Sequence, residues 1–236
     1  MSIEPTPHRT LIHLDNHTLE LPPLQEPAAA MLASLTTMPS SDDEIDRSLS
    51  TSGARTEVYY ALHLLNRWHL VSRRVESSGA GATLRLMAGA EAVPPRITLE
   101  GCALRLSRFA YARRRGDELV VESPLAHAML HLRDAELAPV LALLAARAAT
   151  ADDIAASVGM PRTTAAGTLA LLAVGGFMAG GEDDNSTLRQ WDFHDFLFHS
   201  RCRLGRHDNA LGGNFRFKGT LEPQPAIKTT PRGTPI

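Results

Sequence analysis

Apolar residues recur at the spacing of an α-helix in three consecutive stretches in each half of the chain. Acidic residues that suit the positive end of a helix precede the second stretch in both halves, at Asp42 and at Asp152. Gly175 and Gly176 provide a stop after the last stretch. The predicted helices cover about residues 27–37, 42–49, 56–69, 135–147, 152–158 and 162–174.

Short runs of apolar residues between turn residues predict strands around these helices. Residues 8–21 and residues 70–86 each read as a hairpin, and a third hairpin is predicted over residues 104–124. Residues 129–132 form a further extended piece, and Phe177 begins a strand after the last helix. Three helices followed by a hairpin is the order of a winged helix.

The two halves align over their middle parts, which suggests a tandem duplication of a winged three-helix unit. Leu32, Asp43 and Ile45 correspond to Leu141, Asp152 and Ile154. After a slip of two residues, Leu62, Leu64, Leu65, Leu70 and Val71 correspond to Leu169, Leu171, Leu172, Phe177 and Met178. Chance similarity between two Ala- and Leu-rich helical regions is the alternative. The predicted fold class is α+β, with winged units at 1–90 and 99–182 and a helical segment with an extended arm at 186–236.

Composition narrows the class of protein without naming a function. A chain of 236 residues with 44% hydrophobic residues can build two small domains. A net charge of −2 gives no global field for nucleic acid or an anionic membrane. Neither a secretory signal nor a membrane-spanning apolar run is visible, and the two cysteines form no disulfide framework. We therefore expect a cytoplasmic protein that does not bind membranes.

The stretch that begins at Trp191 is rich in aromatic residues, since it holds one of the two tryptophans and three of the seven phenylalanines. Its aromatic residues cover more than one face of any helix, so they must be buried against the chain itself or against a partner. The apolar residues of this stretch are Trp191, Phe193, Phe196, Leu197 and Phe198.

A winged helix is a binding fold, and it offers two kinds of surface. Its third helix can enter the major groove of DNA, which requires side chains that read bases. The two third helices offer few of these, with Asn66 and Arg67 on the first and Arg162 on the second. A DNA-binding transcription regulator is therefore the weaker alternative, and contact with nucleic acid is not expected.

The other surface is the edge of a hairpin, which can accept a strand from a peptide. Arg113 and Arg114 lie at a basic hairpin tip, and Arg105 and Arg108 lie near the same pair of strands. These four arginines are the predicted peptide-binding residues. The alternative is that they are charges in contact with solvent.

No catalytic motif is visible in the sequence, so no catalytic residue is predicted. His194, His199, Cys202 and His207 are spaced by five, three and five residues. That spacing does not place three donors on one face of a helix, and no metal site is predicted.

Three segments of the second half resemble one known family. They are Leu104–Tyr111 (LRLSRFAY), Glu118–Pro124 (ELVVESP) and Trp191–Asp208 (WDFHDFLFHSRCRLGRHD). Together they look like the N-terminal half of SagB-type peptide dehydrogenases, and the third segment is long and specific. Members of that family are FMN-dependent and nitroreductase-like. They oxidise thiazoline and oxazoline rings to thiazoles and oxazoles in ribosomally made peptides.

The resemblance implies a non-catalytic part of such an enzyme, with leader-recognition-like winged modules. The family's flavin and catalytic residues lie in a nitroreductase domain that would begin after about residue 225, so none is carried over. A split subunit and a truncated sequence both fit. The implied partners are a nitroreductase-like FMN subunit, a precursor or leader peptide and a cyclodehydratase. The partner-docking residues would be Trp191, Phe193, His194, Phe196, Phe198, His199, Arg201, Arg203, Arg206 and His207.

Overall fold

A computed structural model describes residues 2–14, 17–68, 70–75, 81–86, 99–126, 128–182 and 184–203. These residues form a mixed α+β fold with two antiparallel sheets and eight α-helices, so the predicted α+β class is confirmed. The predicted linker at 88–98 and most of the predicted arm lie outside the described residues.

The first unit, residues 2–67, consists of a three-stranded sheet followed by three helices. The predicted hairpin at residues 8–21 is confirmed, and an additional strand pairs with it from the N-terminal side. The sheet order is β1-β2-β3. The elements are β1 Ser2–Pro5, β2 Thr10–His13, β3 Thr18–Leu21, α1 Glu26–Leu35, α2 Asp42–Ser48 and α3 Ser52–Arg67.

The hairpin predicted at residues 70–86 forms, but it does not join the sheet of the first unit. Its strands are β4 Arg73–Val75 and β5 Ala82–Leu86. Strand β5 instead pairs with a strand of the second unit, Ala128–Leu132, in antiparallel register. Residues 76–80, at the turn of this hairpin, lie outside the described residues.

The second unit, residues 111–174, repeats the order of three strands and three helices. With the added hairpin its sheet has five strands in the order β4-β5-β8-β7-β6. A short 3-10 helix at Ala135–Leu137 leads into its first α-helix, and Asp134 caps it as predicted. The elements are β6 Tyr111–Arg115, β7 Glu118–Glu122, β8 Ala128–Leu132, α4 Ala138–Ala146, α5 Ala151–Val158 and α6 Arg162–Val174.

Side-chain caps explain where several of the helices begin. In α2 the Ser41 hydroxyl accepts the Glu44 N–H, and the Glu44 carboxylate accepts the Ser41 N–H at 2.7 Å. Thr150 and Asp153 make the same reciprocal pair in α5. Each pair satisfies N–H groups that a helix start leaves without partners.

Several boundaries differ from the prediction. The first strand of the third hairpin begins at Tyr111, while Leu104 and Leu106, which were predicted in that strand, make isolated bridges. Helix α3 begins at Ser52, four residues earlier than predicted, because the Thr51 side chain accepts the Ala54 N–H and caps the helix there. Phe177 does not begin a regular strand. Met178 makes only an isolated bridge to Leu106, and the Phe177 carbonyl accepts the Ser107 N–H.

Two separate cores stabilise the two units. In the first unit, the buried faces of all three helices pack with Ile12 and Leu21 of the sheet. In the second unit, α4 to α6 pack against one face of the five-stranded sheet, where Leu84, Val121 and Leu130 point. None of the helices in the described ranges has both the length and the apolar composition needed to cross a membrane.

Candidate docking and peptide-binding surfaces

The segment Leu104–Phe109 runs along the end of α4 and leads into the edge strand β6. Leu106 donates its N–H to the Leu144 carbonyl, and Ser107 donates its N–H to the Phe177 carbonyl. These bonds bring Phe109 into the interior, where it has no exposed surface. This loop lies beside β6, and we call residues 104–109 the base.

The stretch from Trp191 packs on this base through aromatic rings. It contains α8 Phe193–Phe198 and a π-helical turn, His199–Arg203, and we call residues 191–203 the aromatic segment. Phe196 meets Phe109 edge to face at 5.2 Å between ring centroids. Trp191 lies 5.4 Å from Phe196, and Phe193 lies 5.5 Å from Tyr111 of β6. Aromatic pairs in this distance range attract each other beyond the effect of burial alone.

Arg108 connects the base to the chain that leads into the aromatic segment. Its guanidinium donates to the carbonyls of Leu188 at 2.8 Å and Trp191 at 3.3 Å. The same guanidinium carbon lies 4.1 Å from the centroid of the Phe109 ring, which is a cation–π contact. Leu188 belongs to a short helix, α7 Ser186–Arg189, whose first N–H groups are capped by Asn185.

A buried carboxylate fixes the other end of the aromatic segment. Glu122 of β7 is 2% exposed and accepts from Arg113 Nε at 2.6 Å and from the Tyr111 hydroxyl at 3.0 Å. Arg201 of the aromatic segment donates to the other Glu122 oxygen at 3.3 Å and to the Tyr111 hydroxyl at 3.2 Å. We call these four residues the Glu122 network. Two guanidiniums thus satisfy a charge that would be costly to bury alone.

The network shifts the pKa of two of its members. Burial raises the pKa of Tyr111, and the nearby Glu122 carboxylate adds to that effect, while the hydrogen bond from Arg201 opposes it. The hydrogen bond to Glu122 raises the pKa of Arg113. Tyr111 therefore keeps its proton as the donor to Glu122, and Arg113 remains charged.

A second buried carboxylate braces the chain just before the aromatic segment. Glu182 is 4% exposed, and it accepts the Gly180 N–H at 2.6 Å. Burial acts to raise its pKa, but hydrogen bonds from the Ser107 side chain and from the Gly180 and Arg108 backbone outweigh burial and lower it. Glu182 is therefore a charged anchor between residues 180–182 and the base.

The four predicted peptide-binding arginines do not form one patch. Arg108 and Arg113 hold parts of this chain, as described above. Arg105 is exposed and reaches the Ala145 carbonyl at 3.5 Å. Arg114 is exposed on β6, and its side chain points to the opposite face of the sheet from Arg113.

The predicted docking residues divide into an inner and an outer group. Trp191, Phe193, Phe196 and Arg201 face this chain. On the outer side, the Phe198 side chain is 66% exposed and the His194 side chain is 88% exposed. His199 is half-buried against Trp191 at 5.1 Å, and Arg203 is exposed. Arg206 and His207 lie outside the described residues.

Sequence reasoning missed Glu122, Tyr111, Phe109 and Glu182 as members of this surface. Phe109, Tyr111 and Glu122 lie inside the segments that carry the resemblance, and that position could have indicated a role for them. A glutamate in the run ELVVE reads as a solvent-facing strand residue, and only its burial shows its role. No group of His, Cys, Asp and Glu side chains in the described parts of the chain could hold a metal ion.

Comparison with known protein families relates the part of the chain that carries this surface to one family. A profile of the family described as cyanobactin oxidase ThcOx matches residues 104–208, which are 105 of the 236 residues. No curated protein matches the chain. The matched range begins at the first residue of the base and contains all three segments that carry the resemblance. Residues 104–208 are therefore related to a domain of the oxidases that modify ribosomally made peptides.

Proposed function

We propose that this chain is a non-catalytic, peptide-binding and scaffolding subunit or domain of an FMN-dependent azoline dehydrogenase of the SagB type. The observation that carries the proposal is the match of residues 104–208 to the cyanobactin oxidase profile. In this proposal a nitroreductase-like domain or subunit binds the FMN and oxidises the azoline ring. The present chain holds the precursor peptide and orients that catalytic part.

The two-sided build of the aromatic segment supports the scaffolding role. Its inner residues are held by the base and by the Glu122 network, so the segment is pre-organised before it meets a partner. Its outer side presents Phe198 and His194 to solvent. An exposed aromatic side chain on a fixed support is a typical anchor of a protein interface, because little conformational entropy is lost on binding.

The peptide-binding role is supported by the edges of the two sheets. An edge strand presents unpaired N–H and C=O groups, which an extended peptide can use as a template. Arg113 and Arg114 both lie on such an edge, on β6, and Arg114 is exposed on the face of the sheet opposite the Glu122 network. A basic residue beside an open edge favours an acidic peptide.

Co-purification with a flavoprotein tests the proposal. The chain is expected to be colourless alone and to co-elute in size-exclusion chromatography with a SagB-type nitroreductase-like protein that absorbs as a flavin. Phe198→Ala is expected to weaken the complex about tenfold or more, as removal of an interface anchor does. Met38→Ala is the matched control, because Met38 is 69% exposed but belongs to the first unit.

Two results would contradict the proposal. One is a purified chain that itself carries flavin and oxidises a thiazoline-containing peptide. The other is the absence of any complex with either the flavoprotein or its precursor peptide at micromolar concentration.

A further inference from the structure

The five-stranded sheet of the second unit has two edges, β4 and β6. Strand β4 is three residues long and packs against α6, where a Cβ atom at Gly167 would lie 2.8 Å from a Val75 methyl group. Strand β6 is five residues long, and four of its residues are exposed. Among the described residues, no strand pairs with the outer side of β6. A strand from another molecule can therefore be added at β6 more readily than at β4.

The turn at residues 116–117 determines which backbone groups of β6 face outward. This two-residue turn joins β6 to β7, and Arg115 pairs with Glu118 across it. The pair that flanks such a turn is hydrogen-bonded, and hydrogen-bonded and non-hydrogen-bonded pairs alternate along an antiparallel ladder. The backbone N–H and C=O groups of Ala112 and Arg114 therefore point away from β7.

The charge around this edge is positive. The five residues of β6 include three arginines and no acidic residue. Together with the side chains that contact its neighbour β7, the edge has five arginines and three carboxylates, which are Arg113, Arg114, Arg115, Arg133 and Arg201 against Asp117, Glu118 and Glu122. A strand that carries Asp or Glu complements this charge. Its carboxylates would meet Arg114 on one face of the sheet and Arg113 with Arg115 on the other.

A second copy of this chain does not suit the edge. Pairing of β6 with β6 of another copy would bring together three arginines from each copy. Like charges directly opposite each other destabilise a sheet, and charged residues on an edge strand oppose self-association. The complementary strand therefore belongs to a different protein.

The position of β6 indicates which proposed partner reaches it. Tyr111, the first residue of β6, contacts Phe193 of the aromatic segment at 5.5 Å between ring centroids. The exposed Phe198 lies five residues after Phe193, which is about 7.5 Å along a helix that rises about 1.5 Å per residue. An interface of standard size buries about 800 Å² of each partner, several times the roughly 150–250 Å² of one aromatic side chain. A protein that binds at Phe198 therefore also reaches the edge of β6.

We infer that the β6 edge is the docking site for an acidic strand of the nitroreductase-like partner. The partner's strand pairs with the backbone of Ala112 and Arg114 and extends the sheet beyond β6. Its Asp or Glu side chains contact the arginines of β6. The inference rests on the proposed scaffolding function, and it assigns this edge to the flavoprotein rather than to the precursor peptide.

Hydrogen–deuterium exchange tests the pairing without any substitution. The chain is compared alone and in complex with the nitroreductase-like protein of the co-elution experiment, and mass spectrometry follows single residues. The amides of Ala112 and Arg114 are expected to exchange about tenfold or more slowly in the complex. The amide of Arg113 already faces β7 and is expected to change little. Equal slowing at all three positions, or no slowing, overturns the inference.

The same measurement identifies the occupant of the edge. The precursor peptide added to the chain alone, or a higher concentration of the chain alone, is expected to leave the amides of Ala112 and Arg114 unchanged. Slowing by either addition would assign the edge to the peptide or to a second copy and would overturn the inference. On the flavoprotein, the fragment that gains protection is expected to carry Asp or Glu at alternate positions. A protected fragment without acidic residues contradicts the charge argument.

A charge reversal measures the contribution of the arginines. Arg114→Glu is expected to raise the Kd of the flavoprotein complex about tenfold or more, measured by isothermal titration calorimetry. Arg67→Glu makes the same change of charge at an exposed position of the first unit and is the matched control, with Kd unchanged. Between about 0.1 M and 1 M salt, where the Debye length falls from about 10 Å to about 3 Å, the unsubstituted complex should weaken more than the Arg114→Glu complex. Equal Kd values for the two variants overturn the inference.

A backbone variant separates strand pairing from attraction between charges. Ala112→Pro removes an outward N–H of the edge strand, a position at which proline is tolerated, and is expected to raise Kd about tenfold or more. Ala112→Ser keeps the N–H and is the matched control. Circular dichroism and urea denaturation check that both variants fold, and exchange in the unsubstituted chain decides the matter if Ala112→Pro does not. Equal Kd values for two folded variants would exclude pairing at β6.

Failure of the inference is distinguishable from failure of the proposed function. A complex that forms with unchanged amide exchange at Ala112 and Arg114 refutes the β6 assignment and leaves the scaffolding role intact. The absence of any complex with the flavoprotein refutes the scaffolding role, and the β6 assignment fails with it.

Discussion

The two units share an architecture and differ at the edge of the sheet. Each has three antiparallel strands and then three helices, and each starts its second helix with a reciprocal capping pair. Among the residues that the structure describes, no further strand pairs with β3, the last strand of the first unit, whereas β8 in the second unit is covered by β5. Similar sequence patterns therefore produce similar units, while the connection between them decides which edge remains available.

The units also differ in the side-chain ion pair that connects their first two strands. In the first unit, Glu4 and His13 form an exposed pair at 3.0 Å. His13 is the last residue of β2 and pairs with Ser2, the first residue of β1. Glu122 has the same place in the second unit, because it is the last residue of β7 and pairs with Tyr111, the first residue of β6. The second unit has buried this position and attached the aromatic segment to it. Attachment of a C-terminal segment is therefore a specialisation of the second unit.

The largest contrast is expected from removal of the two glutamates. Glu122→Ala should lower the free energy of unfolding by about 2–4 kcal/mol, because Arg113 and Arg201 both lose the buried carboxylate that they contact. Glu4→Ala should change it by less than about 0.5 kcal/mol, because that ion pair is exposed to solvent. Urea denaturation of both variants measures the contrast. Equal costs would show that the Glu122 network contributes no more than a surface pair.

A second contrast concerns glycines placed in tight and open surroundings. Gly175→Ala should cost about 1–3 kcal/mol, because its new methyl group would overlap the Phe177 ring and Leu84. Gly53→Ala, in the first turn of α3, meets no neighbouring atom within 4 Å. It should stabilise the protein by about 0.5–1 kcal/mol through its helix propensity. Thermal unfolding measures the direction of the stability change in each variant. A stabilising Gly175→Ala would contradict the close packing of the hairpin against α6.

The capping pairs should behave alike in the two units. Ser41→Ala and Thr150→Ala each remove a side chain that accepts an N–H at the start of a helix. Each should cost about 1 kcal/mol. Values that differ several-fold between the two variants, measured by urea denaturation, would weaken the structural equivalence of α2 and α5.

The smallest expected effect is a dependence of stability on pH from the same capping pairs. Hydrogen bonds from the Ser41 backbone and side chain lower the pKa of Glu44, and those from Thr150 lower the pKa of Asp153. A lowered pKa in the folded state contributes stability above the ordinary carboxyl value, about 4, and this contribution is lost as the pH falls through the lowered value. Stability should therefore decline below about pH 4. The decline should be shallower in Glu44→Gln and Asp153→Asn than in the unsubstituted chain, and equal slopes would exclude this contribution.

Much of the local structure follows from neighbouring residues. The boundaries of α6 agree with the prediction residue for residue, because Pro161 and the Gly175-Gly176 pair delimit it. The turn between β6 and β7 forms where predicted, with Gly116 at a φ of 61° that few other residues adopt. The candidate site was predicted only in part. The sequence indicated that the aromatic segment must be buried, but it did not identify the base or Glu122.

The amino-acid sequence by itself determined the six helices of the two units, the turns of the hairpins and the relation of residues 104–208 to peptide-modifying oxidases. Only the tertiary structure decided that β5 pairs with β8, that Glu122 is buried between two arginines and that Phe198 faces outward. The physical reason is the distance along the chain between the residues that interact. Caps and turns depend on residues three or four positions apart, whereas pairing of strand edges and burial of a charge depend on residues 40 to 80 positions apart, such as Leu84 with Leu130 and Glu122 with Arg201.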